Sequence, residues 1–105
     1  MIAQMVVGVK AARLLCLNAG RLRDAGDPSS IYETSIAKYF SCKVAAESAR
    51  DAVQIHGANG CSAAYPVARL FRDAKIMEII EGSNELQEVA IAHGARSTIS
   101  VPVAD

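Results

Sequence analysis

The sequence of 105 residues predicts an all-α fold, an antiparallel bundle of four helices. Apolar residues recur at three- and four-residue intervals over four segments, and glycine, proline and capping residues separate those segments by short connections. No segment shows the alternating pattern of a strand. Hydrophobic residues make up 51% of the chain, enough for a core. Because so short a domain buries only about 60–65% of its unfolded surface, we expect extra burial against a partner to help.

The first two helices are predicted from periodicity and from their end signals. The first extends from Met1 to about Leu22 and should end at residues 25–28 (AGDP), because glycine suits a helix C-cap and proline cannot continue a helix. The second begins at Ser30, which has the spacing of a capping box with Glu33. It continues to about His56 with no internal glycine or proline, and is the longest helix predicted.

The second half of the chain predicts a bend and two more helices. The segment 57–62 (GANGCS) favours a short bend, and a third helix follows from the Tyr-Pro pair at 65–66 to about residue 79. Ser83 or Asn84 should cap a fourth helix, which we expect to end at Gly94. The helical domain is therefore expected to cover residues 1–96, and residues 97–105 to form a flexible tail.

Charge and composition exclude several classes of function. Eleven Lys+Arg balance 11 Asp+Glu, so neither charge-driven nucleic-acid binding nor attraction to an anionic membrane is expected. The sequence predicts no membrane span and no secretory signal, and hence a soluble, cytoplasmic protein. Three cysteines form no CxxC pair, and the two histidines, His56 and His93, lie far apart, so neither a disulfide framework nor a metal site is predicted.

Glu81 is the candidate for acid–base chemistry. It precedes the predicted start of the fourth helix, whose unpaired N–H groups and positive dipole end favour a phosphate, a carboxylate or a developing oxyanion. Partial desolvation between Ile80 and Gly82 would suit this carboxylate to act as a general base. The alternative interpretation is an exposed loop glutamate, which is the more common case when composition alone is considered.

Three ordered segments carry a family resemblance. They are residues 52–60 (AVQIHGANG), 65–74 (YPVARLFRDA) and 80–87 (IEGSNELQ). Together they closely resemble the C-terminal helical domain of acyl-CoA dehydrogenases, which typically has a glutamine before a glycine-rich turn, a proline-initiated helix with an Arg-Asp-Ala sequence, and a Glu-Gly-Ser/Thr segment. The upstream segments 11–15 (AARLL) and 35–38 (SIAK) are also similar to that family. The resemblance covers roughly residues 1–96.

The resemblance implies a flavoenzyme that removes an α-proton and a β-hydride from an acyl thioester, with the hydride passing to FAD. It implies that Glu81 is the catalytic base and that Gly82 lets the substrate approach the backbone closely. It also implies that six residues bind the cofactor: Gln54, Gly57, Ala58, Ser83, Asn84 and Glu85.

The first three of those six match a turn that touches the FAD of a neighbouring subunit, which implies a homo-oligomer, a dimer or a tetramer. Further partners implied are an acyl-CoA or acyl-carrier-protein thioester and an electron acceptor such as an electron-transfer flavoprotein.

The sequence departs from the family pattern in two residues and in length. Ala58 stands where a second glycine is usual, and Ile80 where tyrosine is common, so the acyl specificity does not carry over. Family members are several times longer, with a helical N-terminal domain and a β domain. The chain therefore resembles a fragment or one polypeptide of a split enzyme, and we do not expect it to bind FAD tightly alone.

Two other function classes stay open at this point. One is a non-catalytic helical oligomerisation module that has kept the packing residues of the family. The other is an adaptor bundle unrelated to dehydrogenases, which the three ordered segments disfavour. Helical bundles serve enzymes, scaffolds and adaptors alike, so the fold by itself does not decide between these classes.

Overall fold

The computed structural model of the chain describes residues 1–98, and its regular structure is entirely helical over that range. A 3₁₀ helix, Gly57–Cys61, follows the second of four α-helices. The α-helices are α1 (Ile2–Asp24), α2 (Ser30–His56), α3 (Val67–Met77) and α4 (Asn84–Thr98). The predicted all-α fold is confirmed, and apart from the end of α4 the helix boundaries lie within about two residues of those predicted.

Helix α2 is the central element of the fold. Helices α1, α3 and α4 each pack against α2, whereas within residues 1–98 these three helices do not pack against one another. The molecule measures 64 × 31 × 26 Å, and its radius of gyration of 17.2 Å exceeds the value of about 13 Å expected for a compact domain of this length. The helices therefore form an open arrangement around α2.

The buried core is thin and made of small side chains. Five apolar residues are buried: Ala12, Ala19, Ala37, Cys42 and Val67. Large apolar side chains stay exposed on α1, where Val7 and Leu14 are each 68% accessible, and on α4, where Leu86 is 64% accessible. Exposed apolar surface of this kind is typical of faces that other protein covers. The structure is thus in line with the expectation that further burial stabilises the chain.

The connection between α1 and α2 corrects one prediction. The capping box at Ser30 is not formed, because Ser30 already lies inside α2 and cannot cap it. The turn is instead closed by Asp27, whose carboxylate accepts hydrogen bonds from the Ser29 amide (2.8 Å) and the Ser29 hydroxyl (2.6 Å). The hydrogen bonds lower the pKa of Asp27 below its usual value, so this carboxylate stays ionised.

The predicted end of α4 at Gly94 is wrong. The helix continues through Gly94 to Thr98. Gly94 has a packing role instead, because a Cβ at position 94 would overlap the ring of Tyr32 on α2. Glycine at this position lets two helices approach closely, a role that its usual place at helix ends does not reveal. Ser97 therefore belongs to α4, and the rest of the predicted tail, residues 99–105, lies outside the described residues.

One helix meets the length and composition expected of a membrane span. This is Ile2–Asp24, near the N-terminus, and soluble core helices and signal sequences meet the same criterion. Two cations, Lys10 and Arg13, lie near its middle, where each would cost about 2.5–3.5 kcal/mol in a bilayer. The expectation that the chain has no membrane span stays a prediction.

Candidate active site

The turn between α3 and α4 holds Glu81 in an unusual backbone conformation. Its φ of 55° is the only positive value of a non-glycine residue within residues 1–98, and Gly82 follows with φ 85°. A left-handed conformation costs a residue with a Cβ roughly 1–2 kcal/mol, so contacts around the turn must maintain it. The Glu81 side chain is exposed, and so is the neighbouring Ile80, so these residues do not provide the partial desolvation that the sequence predicted for this carboxylate.

Backbone and capping hydrogen bonds fix both ends of this turn. The Ile80 amide donates to the Ile76 carbonyl (3.0 Å), and the Asn84 amide reaches back to the carbonyl of Glu78 (2.9 Å). The Ser83 hydroxyl accepts a hydrogen bond from the Leu86 amide (3.4 Å), which identifies Ser83, one of the two predicted candidates, as the N-cap of α4. The turn thus joins the end of α3 to a capped helix start.

A lysine on α2 holds the middle of the turn. Lys38 Nζ donates to the Gly82 carbonyl oxygen (2.7 Å) and to Asn84 Oδ1 (3.2 Å). Gln87 Nε2 approaches the same carbonyl at 3.5 Å. Asn84 is the buried polar residue of the described chain, with 8% accessibility. The turn is therefore tied to α2 by charge-assisted hydrogen bonds, which are stronger than neutral ones.

Glu81 lines a cavity of about 240 Å³ between the turn and the first half of α2. Two cationic residues, Arg23 and Lys38, line it too. The remaining lining residues are Ser30, Ile31, Thr34, Ser35 and Gln87. A second cavity of about 290 Å³, along the α1–α2 contact, shares three of these residues: Arg23, Thr34 and Lys38. An exposed carboxylate beside an open cavity is accessible to a bound molecule, and a general base must come within hydrogen-bond reach of the proton that it takes.

Glu85, in the first turn of α4, stays ionised. A hydrogen bond from its own backbone amide, a second from the Ser83 hydroxyl and the charges of Lys75 and Lys38 lower the pKa of its carboxyl. An anionic side chain in the first turn also stabilises the helix through its dipole.

The predicted cofactor residues Gln54, Gly57 and Ala58 lie at the other end of α2. All three are exposed, and Gly57 ends the helix with φ 57° and ψ −140°. Position 54 follows position 38 by 16 residues of helix, a distance of about 24 Å. Within one chain the structure therefore brings Glu81, Gly82, Ser83, Asn84 and Glu85 together, but not with these three residues.

Sequence reasoning missed the roles of two residues around these turns. Lys38 was noted only within the SIAK segment, and nothing in the local pattern relates it to a turn 44 residues away. Gly60 is buried, and a Cβ there would lie 2.5 Å from the carbonyl oxygen of Val53. A glycine following a helix end was the available signal, but it predicted a bend and not this close contact. Within the described part of the chain, no group of three or more His, Cys, Asp or Glu could hold a metal ion.

The comparison with known families decides what the three ordered segments mean. The family "Acyl-CoA dehydrogenase, C-terminal domain" matches residues 1–95. This chain belongs to the acyl-CoA dehydrogenase family. Among curated relatives it is 39% identical over 92 residues to the probable acyl-CoA dehydrogenase FadE25 of Mycobacterium tuberculosis, covering 88% of this chain and 24% of that relative. It is 40% identical over 91 residues to the 3-(aryl)acrylate reductase of Clostridium sporogenes, covering 87% of this chain and 24% of that relative.

Solved structures of the acyl-CoA dehydrogenase family share the fold. Butyryl-CoA dehydrogenase from Megasphaera elsdenii superposes with a TM-score of 0.85 and 39% identity, over 90% of this chain and 24% of that one. A chain from the structure described as the electron transferring flavoprotein of Acidaminococcus fermentans superposes with a TM-score of 0.86 and 37% identity. The match covers 96% of this chain and 26% of that one. This acyl-CoA dehydrogenase domain thus spans about a quarter of the length of the relatives it matches.

Proposed function

We propose that the chain is the C-terminal part of an FAD-dependent acyl-thioester α,β-dehydrogenase and that Glu81 is its catalytic base. The observation that carries the proposal is the conformation of Glu81. It is a carboxylate in a left-handed conformation, exposed at a cavity and held beside the capped start of α4. Strained backbone conformations persist only where surrounding contacts maintain them, and they cluster at functional sites.

In the proposed reaction Glu81 accepts the α-proton of the thioester at a carboxylate oxygen. Gly82 has no Cβ, so the acyl chain can lie close to the backbone beside that oxygen. FAD, when bound, supplies the acceptor for the β-hydride. The proton and the hydride leave the substrate to different acceptors, and the product is the α,β-unsaturated thioester.

The residues around the two turns fit a flavin unequally. The Ser83 hydroxyl and the ionised Glu85 carboxylate can bond hydroxyl and amide groups of a cofactor, and the backbone at Gly57 is open, with nothing within 4 Å of the position of a Cβ. Asn84 fits a direct contact less well, because its side chain is buried and bonded to Lys38.

The separation of the two turns supports a homo-oligomer, a dimer or a tetramer. A distance of about 24 Å along α2 suits a chain that serves its own flavin with Ser83 and Glu85 and a neighbour's flavin with Gln54, Gly57 and Ala58. The exposed apolar side chains of α3 and α4 offer surface for such assembly. The other proposed partners are an acyl-CoA or acyl-carrier-protein thioester and an electron-transfer flavoprotein as acceptor, in the cytoplasm.

The test uses the complete flavoenzyme, in which this chain is assembled with the N-terminal and β domains of the enzyme. Flavin content is measured first, and then the anaerobic bleaching of flavin absorbance by an acyl-CoA such as butyryl-CoA. We expect Glu81→Gln to keep its flavin and to bleach at least about 100-fold more slowly, because general base catalysis contributes roughly 10²–10⁴-fold. Glu47→Gln, which changes an exposed glutamate on α2, is the matched control.

The other outcomes separate the competing functions. An assembly without flavin would contradict the enzyme and favour the non-catalytic oligomerisation module. Bleaching at the wild-type rate in Glu81→Gln would keep the flavoenzyme and assign the base to another residue.

A further inference from the structure

The Lys38 ammonium on α2 donates two hydrogen bonds to the Glu81 turn. Its partners are a backbone carbonyl, that of Gly82, and a buried side-chain amide, that of Asn84. Gln87 is the other donor to the Gly82 carbonyl, and its contact is longer, at 3.5 Å against 2.7 Å for the lysine. The lysine is part-buried, so its hydrogen bonds are less screened by solvent than those of a surface lysine.

The Gly82 carbonyl belongs to the residue that directly follows Glu81. Two successive residues with positive φ, 55° at Glu81 and 85° at Gly82, set the direction in which the Cα–Cβ bond of Glu81 leaves the backbone. A residue with a Cβ leaves this region for ordinary backbone conformations unless its neighbours are held in place. The shortest contact between the turn and α2 is the hydrogen bond from Lys38, since the other backbone bonds of the turn lie within the segment 76–87.

We propose that Lys38 is a positioning residue for the catalytic base: by holding the Gly82 carbonyl and the Asn84 amide, its ammonium maintains the left-handed turn that aims the Glu81 carboxylate. The inference rests on the proposed role of Glu81. Lys38 does not take part in the proton transfer itself. Removing it displaces the base, and a displacement of about 1 Å lowers a reaction rate by up to about 100-fold.

The test measures flavin bleaching in the complete flavoenzyme at increasing butyryl-CoA concentration. Lys38→Met removes the ammonium and keeps a side chain of similar length. We expect the limiting bleaching rate to fall about 10- to 100-fold, while the thioester concentration that gives half the limiting rate changes less than about threefold. A residue that only stabilises the fold would lower flavin content and melting temperature without this separation of rate from affinity.

Two further variants serve as control and as rescue. Lys43→Met removes an exposed lysine from the same helix, whose Nζ lies 5.4 Å from the centroid of the Tyr39 ring, and should bleach like the wild type. Lys38→Arg keeps the charge and the donors, but its larger planar group cannot occupy the position of the ammonium. We expect its limiting rate to lie between those of Lys38→Met and the wild type.

The outcomes distinguish this inference from the proposed function. If Glu81→Gln loses bleaching while Lys38→Met retains the wild-type rate, Lys38 has no positioning role and Glu81 remains the base. Should Lys38→Met fail to assemble with flavin, Lys38→Gln decides, because it keeps a polar side chain but has no ammonium, and a wild-type limiting rate in that variant overturns the inference. Wild-type bleaching in Glu81→Gln refutes the proposed base, and the positioning role with it.

Discussion

The Glu81 turn, which packs against the first half of α2, and the turn that follows α2 are held in different ways. The Glu81 turn depends on Lys38, 44 residues away in sequence, and on a buried asparagine. The turn after α2, the 3₁₀ helix Gly57–Cys61, is held by its immediate neighbours. His56 Nδ1 lies 2.8 Å from the Ala52 carbonyl oxygen, and the His56 ring meets the Tyr65 ring edge-on at 5.7 Å.

The difference shows how a thin helical domain can hold two kinds of site. A turn held by local contacts keeps its shape independently of how the other helices pack. This property suits a surface that contacts another subunit. A turn tied to a distant lysine keeps its shape only when α2 and α4 are packed together. The position of the Glu81 carboxylate is therefore coupled to the packing of the domain.

The largest expected effect concerns the local turn and its buried glycine. In Gly60→Ala the new Cβ would lie 2.5 Å from the Val53 carbonyl oxygen and 3.1 Å from the Val53 Cα, and the contacted atoms are backbone. We expect the free energy of unfolding to fall by about 1–3 kcal/mol, as in other overpacked sites. Urea unfolding of the complete flavoenzyme measures this loss.

Gly20→Ala is the matched control for that substitution. Position 20 lies inside α1, and nothing within the described residues comes within 4 Å of a Cβ there. The free energy of unfolding of the control should rise by roughly 0.5–1 kcal/mol, because alanine is more stable than glycine in a helix interior. Equal stability of Gly60→Ala and the wild type would mean that the local turn is looser than its packing indicates.

The same contrast explains which parts of the site could be predicted from the sequence. Helix periodicity and the Gly-Asp-Pro and Gly-Ser-Asn signals act over a few residues, so they predicted four helices and narrowed the cap of α4 to Ser83 or Asn84. The Lys38 contact could not be derived in this way, because it joins residues on different helices. Gly94 shows the same limit: it was predicted as a helix end, and only the position of Tyr32 reveals a packing role.

A smaller effect is expected for Asn84, the buried partner of Lys38 in the Glu81 turn. Asn84→Ala leaves Lys38 with the Gly82 carbonyl as its remaining partner in the turn. We expect the local opening free energy to fall by about 1 kcal/mol, the usual contribution of one hydrogen bond, so amides in the segment 79–87 should exchange roughly fivefold faster. Hydrogen exchange followed by mass spectrometry on the complete flavoenzyme resolves that segment.

Asn59→Ala, an exposed asparagine in the 3₁₀ helix, is the control for Asn84→Ala. Exchange of the segment 79–87 should not change in this variant. If Asn84→Ala also leaves that segment unchanged, the lysine holds the turn through the carbonyl alone, and the two turns differ less than their contacts suggest.

The smallest effect is expected at the turn between α1 and α2, which is local like the 3₁₀ helix but exposed. Hydrogen bonds from the Ser29 hydroxyl and amide lower the pKa of Asp27, so the folded state favours the ionised carboxylate. The stabilisation is therefore fully present above the unfolded pKa and is lost as the pH falls through the lower folded value. In urea unfolding, the free energy of unfolding of the wild type should slightly exceed that of Asp27→Asn at pH 7, and this difference should shrink below about pH 4. Asp24→Asn, which changes an exposed aspartate at the end of α1, is the control for the loss of one nearby negative charge. An advantage over Asp27→Asn that is constant with pH would mean that the turn depends on hydrogen-bond geometry alone, without a contribution from the charge.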